Sequence, residues 1–198
     1  APQRRGARWD DPRARAAAAH IVDWVSAPVG VATLHERFGH LADPAARFAA
    51  MSACFEEKLA AFSPIARAGR STRFQMIGAS GTVTTIAGVH LGLRRYDRNR
   101  VDGMWLPTSG AARVIEELVS LDDAARSGKR GVGPDRSVMI VAGAAILSSV
   151  MSLWPTDRLR VADRGLREGL LYAMLAESAP PPRPGRPEPA ESPAPRRI

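Results

Sequence analysis

The stretch Gly78-Ala79-Ser80-Gly81-Thr82-Val83-Thr84-Thr85 brings together residue types that can cradle a phosphate. It follows an apolar run, Phe74-Gln75-Met76-Ile77, and leads into Ile86-Ala87-Gly88-Val89-His90-Leu91, an order that reads strand, small-residue turn, helix. A helix N-terminus presents unpaired N–H groups and partial positive charge, and glycine there gives an anion room to approach the backbone. Ser80, Thr82 and Thr84 add hydroxyls that either cap the helix or bind a phosphate oxygen. The same residues also suit a plain capped turn, and the local pattern leaves both readings open. No Gly-Lys-Ser/Thr follows the glycines, and Gly-x-Gly-x-x-Gly does not occur there, so neither common nucleotide loop applies.

Other candidates are sparser. Arg164 and Arg167 flank Gly165 at a second strand-to-helix junction, where a guanidinium fork could hold phosphate or pair with Asp163 or Glu168. Arg94, Arg95, Arg98 and Arg100 cluster around Asp97 and Asp102, either to grip a polyanion or as a solvated loop. His20, His35, His40 and His90 show no metal-ligand spacing, and Glu56 and Glu57 offer no acid/base pair. The one cysteine, Cys54, sits among Met51, Phe55 and Leu59 and reads as a buried thiol; it excludes an internal disulfide and any multi-cysteine metal site.

These residues must be positioned by a chain of 198 residues, enough for one ordinary core. The net charge of +8 is concentrated at the ends: residues 1–20 carry +3 and residues 178–198 carry +2, leaving +3 for residues 21–177. Arginine outnumbers lysine 26 to two, which G+C-rich coding explains as well as phosphate binding does. A single aromatic residue, Trp9, falls in the basic ends, too few to stack successive bases, so nucleic acid stays a minor reading. The longest apolar run, Val138–Leu147, is shorter than the roughly 20 residues of a membrane span. A cytoplasmic setting is consistent with the single thiol.

Residues 1–20 read as a basic arm or partial insertion. Residues 178–198 read as a disordered tail, since eight of sixteen prolines fall between Pro180 and Ile198. Between them, Ile21–Ser26 reads as a strand ended by Pro28 and Gly30. Asp43-Pro44 caps a helix striped by Phe48, Met51, Phe55, Leu59 and Phe62. Arg73–Gly78 is a second strand, followed by the helix after Ser80, and residues 94–103 look loop-like. Thr108-Ser109 opens a helix through Val114, Ile115 and Leu118, and Ser120 opens a short one with Asp123 as capping partner. Ser137–Leu153 fits a buried helix, with an initial strand through Val141 as the alternative. Arg158–Val161 is a strand, and Leu166, Leu170, Leu171 and Met174 stripe the last helix. The class is α/β with helix dominating.

Three segments in this order are informative together: Ile77–Thr85, Val141-Ala142-Gly143-Ala144-Ala145-Ile146-Leu147, and Leu159-Arg160-Val161-Ala162-Asp163-Arg164-Gly165-Leu166-Arg167-Glu168-Gly169-Leu170-Leu171. With Ala27-Pro28-Val29-Gly30-Val31 and Glu36-Arg37-Phe38 upstream, the chain resembles the exopolyphosphatase / guanosine pentaphosphate phosphohydrolase (Ppx/GppA) family over residues 21–177. The resemblance implies a ribonuclease-H-like domain of the actin, sugar-kinase and chaperone ATPase superfamily. It also implies hydrolysis of a terminal phosphoanhydride of polyphosphate or guanosine pentaphosphate, with Mg2+ as cofactor.

The family's Asp-x-Gly-Ser and Asp-x-Gly-Gly-Gly-Ser-x-Glu loops are both missing from these 198 residues. The resemblance therefore implies a C-terminal half, whose partner is the N-terminal half of the same protein, and no catalytic residue of its own. A homodimer is left open. Its expected contribution is phosphate binding by Gly78, Ser80, Gly81, Thr82, Arg164 and Arg167, with metal ligands unknown. A non-catalytic polyphosphate-binding module is the alternative.

Overall fold

The computed structural model describes residues 24–60 and 74–177. Along them run α1 (Val31–Phe38), α2 (Pro44–Ala60), β1 (Met76–Gly78), α3 (Gly81–His90), α4 (Arg98–Val101), β2 (Trp105–Pro107), α5 (Thr108–Ser120), α6 (Asp123–Gly128), α7 (Pro134–Ser137), α8 (Ile140–Leu153), β3 (Arg158–Val161) and α9 (Leu166–Glu177). The three strands form one sheet in the order β1-β3-β2, with β1 parallel and β2 antiparallel to β3. The described residues up to Gly169 make one compact unit, and α9 from Leu170 onward falls outside it. That outer part of α9 carries Leu170, Leu171 and Leu175 with about half of each exposed. No helix among the described residues is long and apolar enough to cross a membrane.

Alternation along the strands makes the sheet two-faced. Met76, Leu159 and Leu106 share one row and are buried. Ile77, Arg160 and Trp105 share the next row and face outward, Ile77 with 64% of its surface exposed. Among the described residues, helices pack on the buried face. Among them α8 is central: Ile140 to Ala145, Leu147 and Ser149 are all buried, and α1, α2, α3 and α5 pack around it. Its run of Ala and Gly lets those neighbours approach closely on every side. Cys54 is buried against this packing, as its apolar neighbours imply, and its Sγ accepts from Arg37 Nη1 at 3.6 Å.

The structure corrects four local expectations. Residues 24–26 form no strand, and Trp24 is 76% exposed; residues 21–23 lie outside the described residues. Helix α1, unforeseen, starts directly after Gly30. The segment 94–103 contains α4, capped by Asp97, whose carboxylate accepts from Asn99 N at 3.0 Å. The short helix after α5 is capped by Asp122, which accepts from Ala125 N at 2.7 Å. Ser120 instead ends α5, its hydroxyl donating to Glu117 O at 2.8 Å. Of the two readings at 137–153 the helical one holds, with a break at Val138-Met139. The expectations for Phe62, Arg73, the arm at 1–20 and the tail at 178–198 lie outside the described residues.

Candidate phosphate site

Parallel pairing sets the site. Gly78 and Val161, the last residues of β1 and β3, are register partners, and Ala162 N donates to Gly78 O at 2.9 Å. The turns leaving both strands therefore emerge side by side at the carboxyl edge of the sheet, where α/β sheets place ligands. Gly78 makes the first turn tight. A Cβ there would lie 3.0 Å from both Val83 methyls and 3.1 Å from Leu159 Cδ1. Ser80, fully extended, caps α3: its Oγ accepts from Val83 N at 3.2 Å. Thr84 Oγ1 donates to Gly81 O at 3.2 Å.

The second turn ends in a side-chain cap from Glu168. Gly165 N donates to Glu168 Oε2 at 2.8 Å at the start of α9. That amide holds the Glu168 carboxyl below the usual carboxylate range, helped by its own N–H and by the charges of Arg167 and Arg164. Asp163 is the joint between this turn and the α4 loop. Its carboxylate takes Arg98 Nε at 2.8 Å and the Tyr96 hydroxyl at 2.6 Å, while its N–H donates to Asp102 Oδ1 at 3.0 Å. Partial burial, then the bond to Asp163, pushes the Tyr96 phenol up to about 12.

A third element closes the site. From α7, Arg136 Nη1 donates to Gly81 O at 3.1 Å and to Thr85 Oγ1 at 2.7 Å. Its guanidinium thus sits on the first turn of α3. Ser80, Gly81, Thr84, Arg136, Arg167 and Glu168 line a pocket of about 350 Å³ between the two turns. Two helix N-termini and two guanidinium groups converge there, while Asp163 and Glu168 already hold internal donors. The arrangement favours an anion, bound by N–H groups, hydroxyls and guanidinium forks.

The sequence-derived candidates are distributed unevenly. Ser80, Gly81 and Arg167 line the pocket. Gly78 lies at the end of β1, beside an apolar groove shared with Val31, Val83 and Gly143. Thr82 is absent from this pocket but lines an adjoining one of about 320 Å³ with Ser80, Gly81 and Arg136, and its Oγ1 lies where a Cβ on Gly143 of α8 would be only 2.1 Å off. Arg164 is exposed and not part of the pocket wall. Of the carboxylates offered as salt-bridge partners, Asp163 takes Arg98 and Glu168 takes the Gly165 amide, with the charges of Arg167 and Arg164 also acting on Glu168. Of the 94–100 cluster only Arg98 pairs with Asp163.

Sequence reasoning missed Arg136. Its one signal is a lone arginine in Pro134-Asp135-Arg136, a turn before an all-apolar helix. No three His, Cys, Asp or Glu side chains among the described residues converge to hold a metal. The pocket's two carboxylates, Asp163 and Glu168, are engaged by Arg98, Tyr96 and the Gly165 amide, and with guanidinium groups beside them the lining does not fit a magnesium ion.

The profile of the Ppx/GppA phosphatase family matches residues 15–178. The chain belongs to the Ppx/GppA phosphatase family. Two Aquifex aeolicus structures, described as a PPX-GPPA enzyme and as a Ppx/GppA family member, align at 25% and 26% identity, each with a TM-score of 0.66. They cover 78% and 79% of this chain and 50% of their own. An exopolyphosphatase from Cytophaga hutchinsonii aligns at 26% identity with a TM-score of 0.61, over 75% of this chain and 48% of its own. A Haemophilus influenzae protein named "Putative exopolyphosphatase" is 28% identical over 99 residues, half of this chain and 29% of that protein. The chain thus spans about half the length of its structural relatives.

Proposed function

We propose that this family member binds the phosphate groups of inorganic polyphosphate or guanosine pentaphosphate at the Gly81–Arg136 pocket, as the phosphate-holding wall of a phosphoanhydride hydrolase. The observation that carries the reading is the meeting of two helix N-termini and Arg136 at the carboxyl ends of β1 and β3. Backbone N–H groups from α3 and α9 face the phosphate oxygens, and Arg136 and Arg167 neutralise charge that grows as the anhydride breaks. Arg136, fixed at Gly81 O and Thr85 Oγ1, keeps the turn rigid, so little reorganisation accompanies binding. The two carboxylates at the rim are tied to Arg98, Tyr96 and Gly165, which leaves neither as a base for water.

We therefore propose that the 198-residue chain binds without cleaving, with the base supplied from outside it. Tripolyphosphate titrated calorimetrically into the chain should bind, and Arg136→Met should weaken that binding about tenfold, as expected for a charged hydrogen-bonding partner. Equal affinity in the variant would remove the pocket from the reading. Phosphate released from long-chain polyphosphate above a no-protein control would overturn the inactivity.

The second reading, a phosphate-binding module with no hydrolytic role, is favoured by those same tied carboxylates. Supplying the N-terminal half of a relative in trans distinguishes the two. Turnover appearing only in the mixture supports the hydrolase, and binding without turnover supports the module.

A further inference from the structure

Two arginines of β3 share one aromatic ring. Arg98 is neutralised by Asp163, and Arg126 by Asp123 and backbone carbonyls. Arg158 and Arg160 instead stand on the outward face of the sheet, with guanidinium carbons 4.6 and 5.2 Å from the Trp105 ring centroid. Neither forms an ion pair among the described residues. An aromatic face orients a guanidinium without cancelling its charge. Gly103, at φ +78°, leaves room for this arrangement, since a Cβ there would come within 3.3 Å of Arg160 Nη2. Alternate residues of a strand lie about 7 Å apart on one face, and Arg160 precedes Asp163, at the pocket wall, by three residues. The two arginines thus lie on β3 within a few residues of the pocket wall.

We propose that Arg158, Trp105 and Arg160 form an exosite for the distal, unreacting stretch of a long polyphosphate chain whose end occupies the Gly81–Arg136 pocket. The choice of polyanion rests on the function proposed above. The charge arrangement favours bare phosphate over a nucleobase, because guanidinium groups already cover the indole on which a base would stack.

The test compares long-chain polyphosphate with tripolyphosphate, the shorter ligand, by titration at several salt concentrations. Arg158→Gln/Arg160→Gln should weaken long-chain binding roughly tenfold and reduce the salt slope by about 1.4, two charges at ~0.7 each. Tripolyphosphate affinity should not change. Arg158→Lys/Arg160→Lys should restore most of the long-chain affinity, and melting curves of both variants establish that the fold is intact. Unchanged long-chain affinity in the glutamine variant would overturn the exosite. So would a single-stranded oligonucleotide that binds more tightly than polyphosphate and loses as much. If the wild type binds long chains through these arginines but ignores tripolyphosphate, the exosite stands and the pocket reading falls.

Discussion

Replacing Gly143 by alanine tests how the phosphate turn is held. A Cβ at 143 would lie 2.1 Å from Thr82 Oγ1, 2.8 Å from Thr82 Cγ2 and 3.0 Å from Thr82 Cβ. Rotating Thr82 about χ1 frees only one of the first two contacts, because Oγ1 and Cγ2 fill two of the three staggered positions. The third contact is to Cβ, which is fixed to the backbone of α3. The first turn of α3 must therefore shift by several tenths of an ångström away from α8. Overpacking of this kind costs about 1–3 kcal/mol. For a chain of this size each kcal/mol lowers Tm by roughly 2–4 °C. Because that turn carries Ser80 and Gly81, tripolyphosphate affinity should fall with stability. Thr82→Ala removes the Oγ1 and Cγ2 clashes, so Gly143→Ala/Thr82→Ala should recover more than half of the lost Tm, a coupling of about 0.5–3 kcal/mol. Thermal unfolding by circular dichroism and calorimetric titration read both quantities. A Gly143→Ala protein melting within about 1 °C of wild type would refute the packing argument. So would a double variant no better than the single one.

Thr82→Ala alone should bind tripolyphosphate as wild type does, because its hydroxyl points at Gly143; a tenfold loss in the titration would return Thr82 to the phosphate. Ser80→Ala removes the α3 cap and should cost about 0.5–2 kcal/mol in urea unfolding. Arg126→Met should cost about 2–5 kcal/mol, since it strips the bonds to Leu118 O and Leu121 O; the same urea measurement checks it. Tyr96, raised from 10.0 to about 12, favours the neutral phenol in the folded chain, so its contribution is full below pH 10 and is lost between pH 10 and 12. Spectrophotometric titration should show that late tyrosine, and Tyr96→Phe should abolish it. Asp123, lowered chiefly by its hydrogen bond from Arg126, contributes stability above its unfolded pKa that disappears as pH falls through the folded value. Asp123→Asn should flatten that acid limb.

What the sequence revealed were the features written locally. The stripe of α2, the apolar α8, the alternation of β3 and the Ser80 cap each follow from spacing within a few residues, and each is present. The short pieces carried no such signal. β2 has three residues, too few to show alternation, and its place beside β3 comes from the antiparallel register. At the cap of α6, Ser120 and Asp122 were chemically equivalent choices. The bond from Ser120 to Glu117 O, a contact within α5, decided between them. Arg136 was illegible for a different reason: its partner Gly81 is 55 residues away, and only the packing of α7 and α8 on α3 brings them together. Thr82 and Thr84 look alike in sequence; a helical rotation of two residues sends one toward α8 and the other toward the pocket.

The bond from Ala162 N to Gly78 O has a kinetic consequence. It ties the two turns proposed to face the anion into one body, so neither turn has to close on the other before a phosphate is seated. Without that entropic cost of ordering, arrival should be governed by diffusion and by the attraction of the arginines, with rates that fall as salt is added. Ligands of equal charge would then arrive at similar rates, and the site would choose between them by how long each one stays.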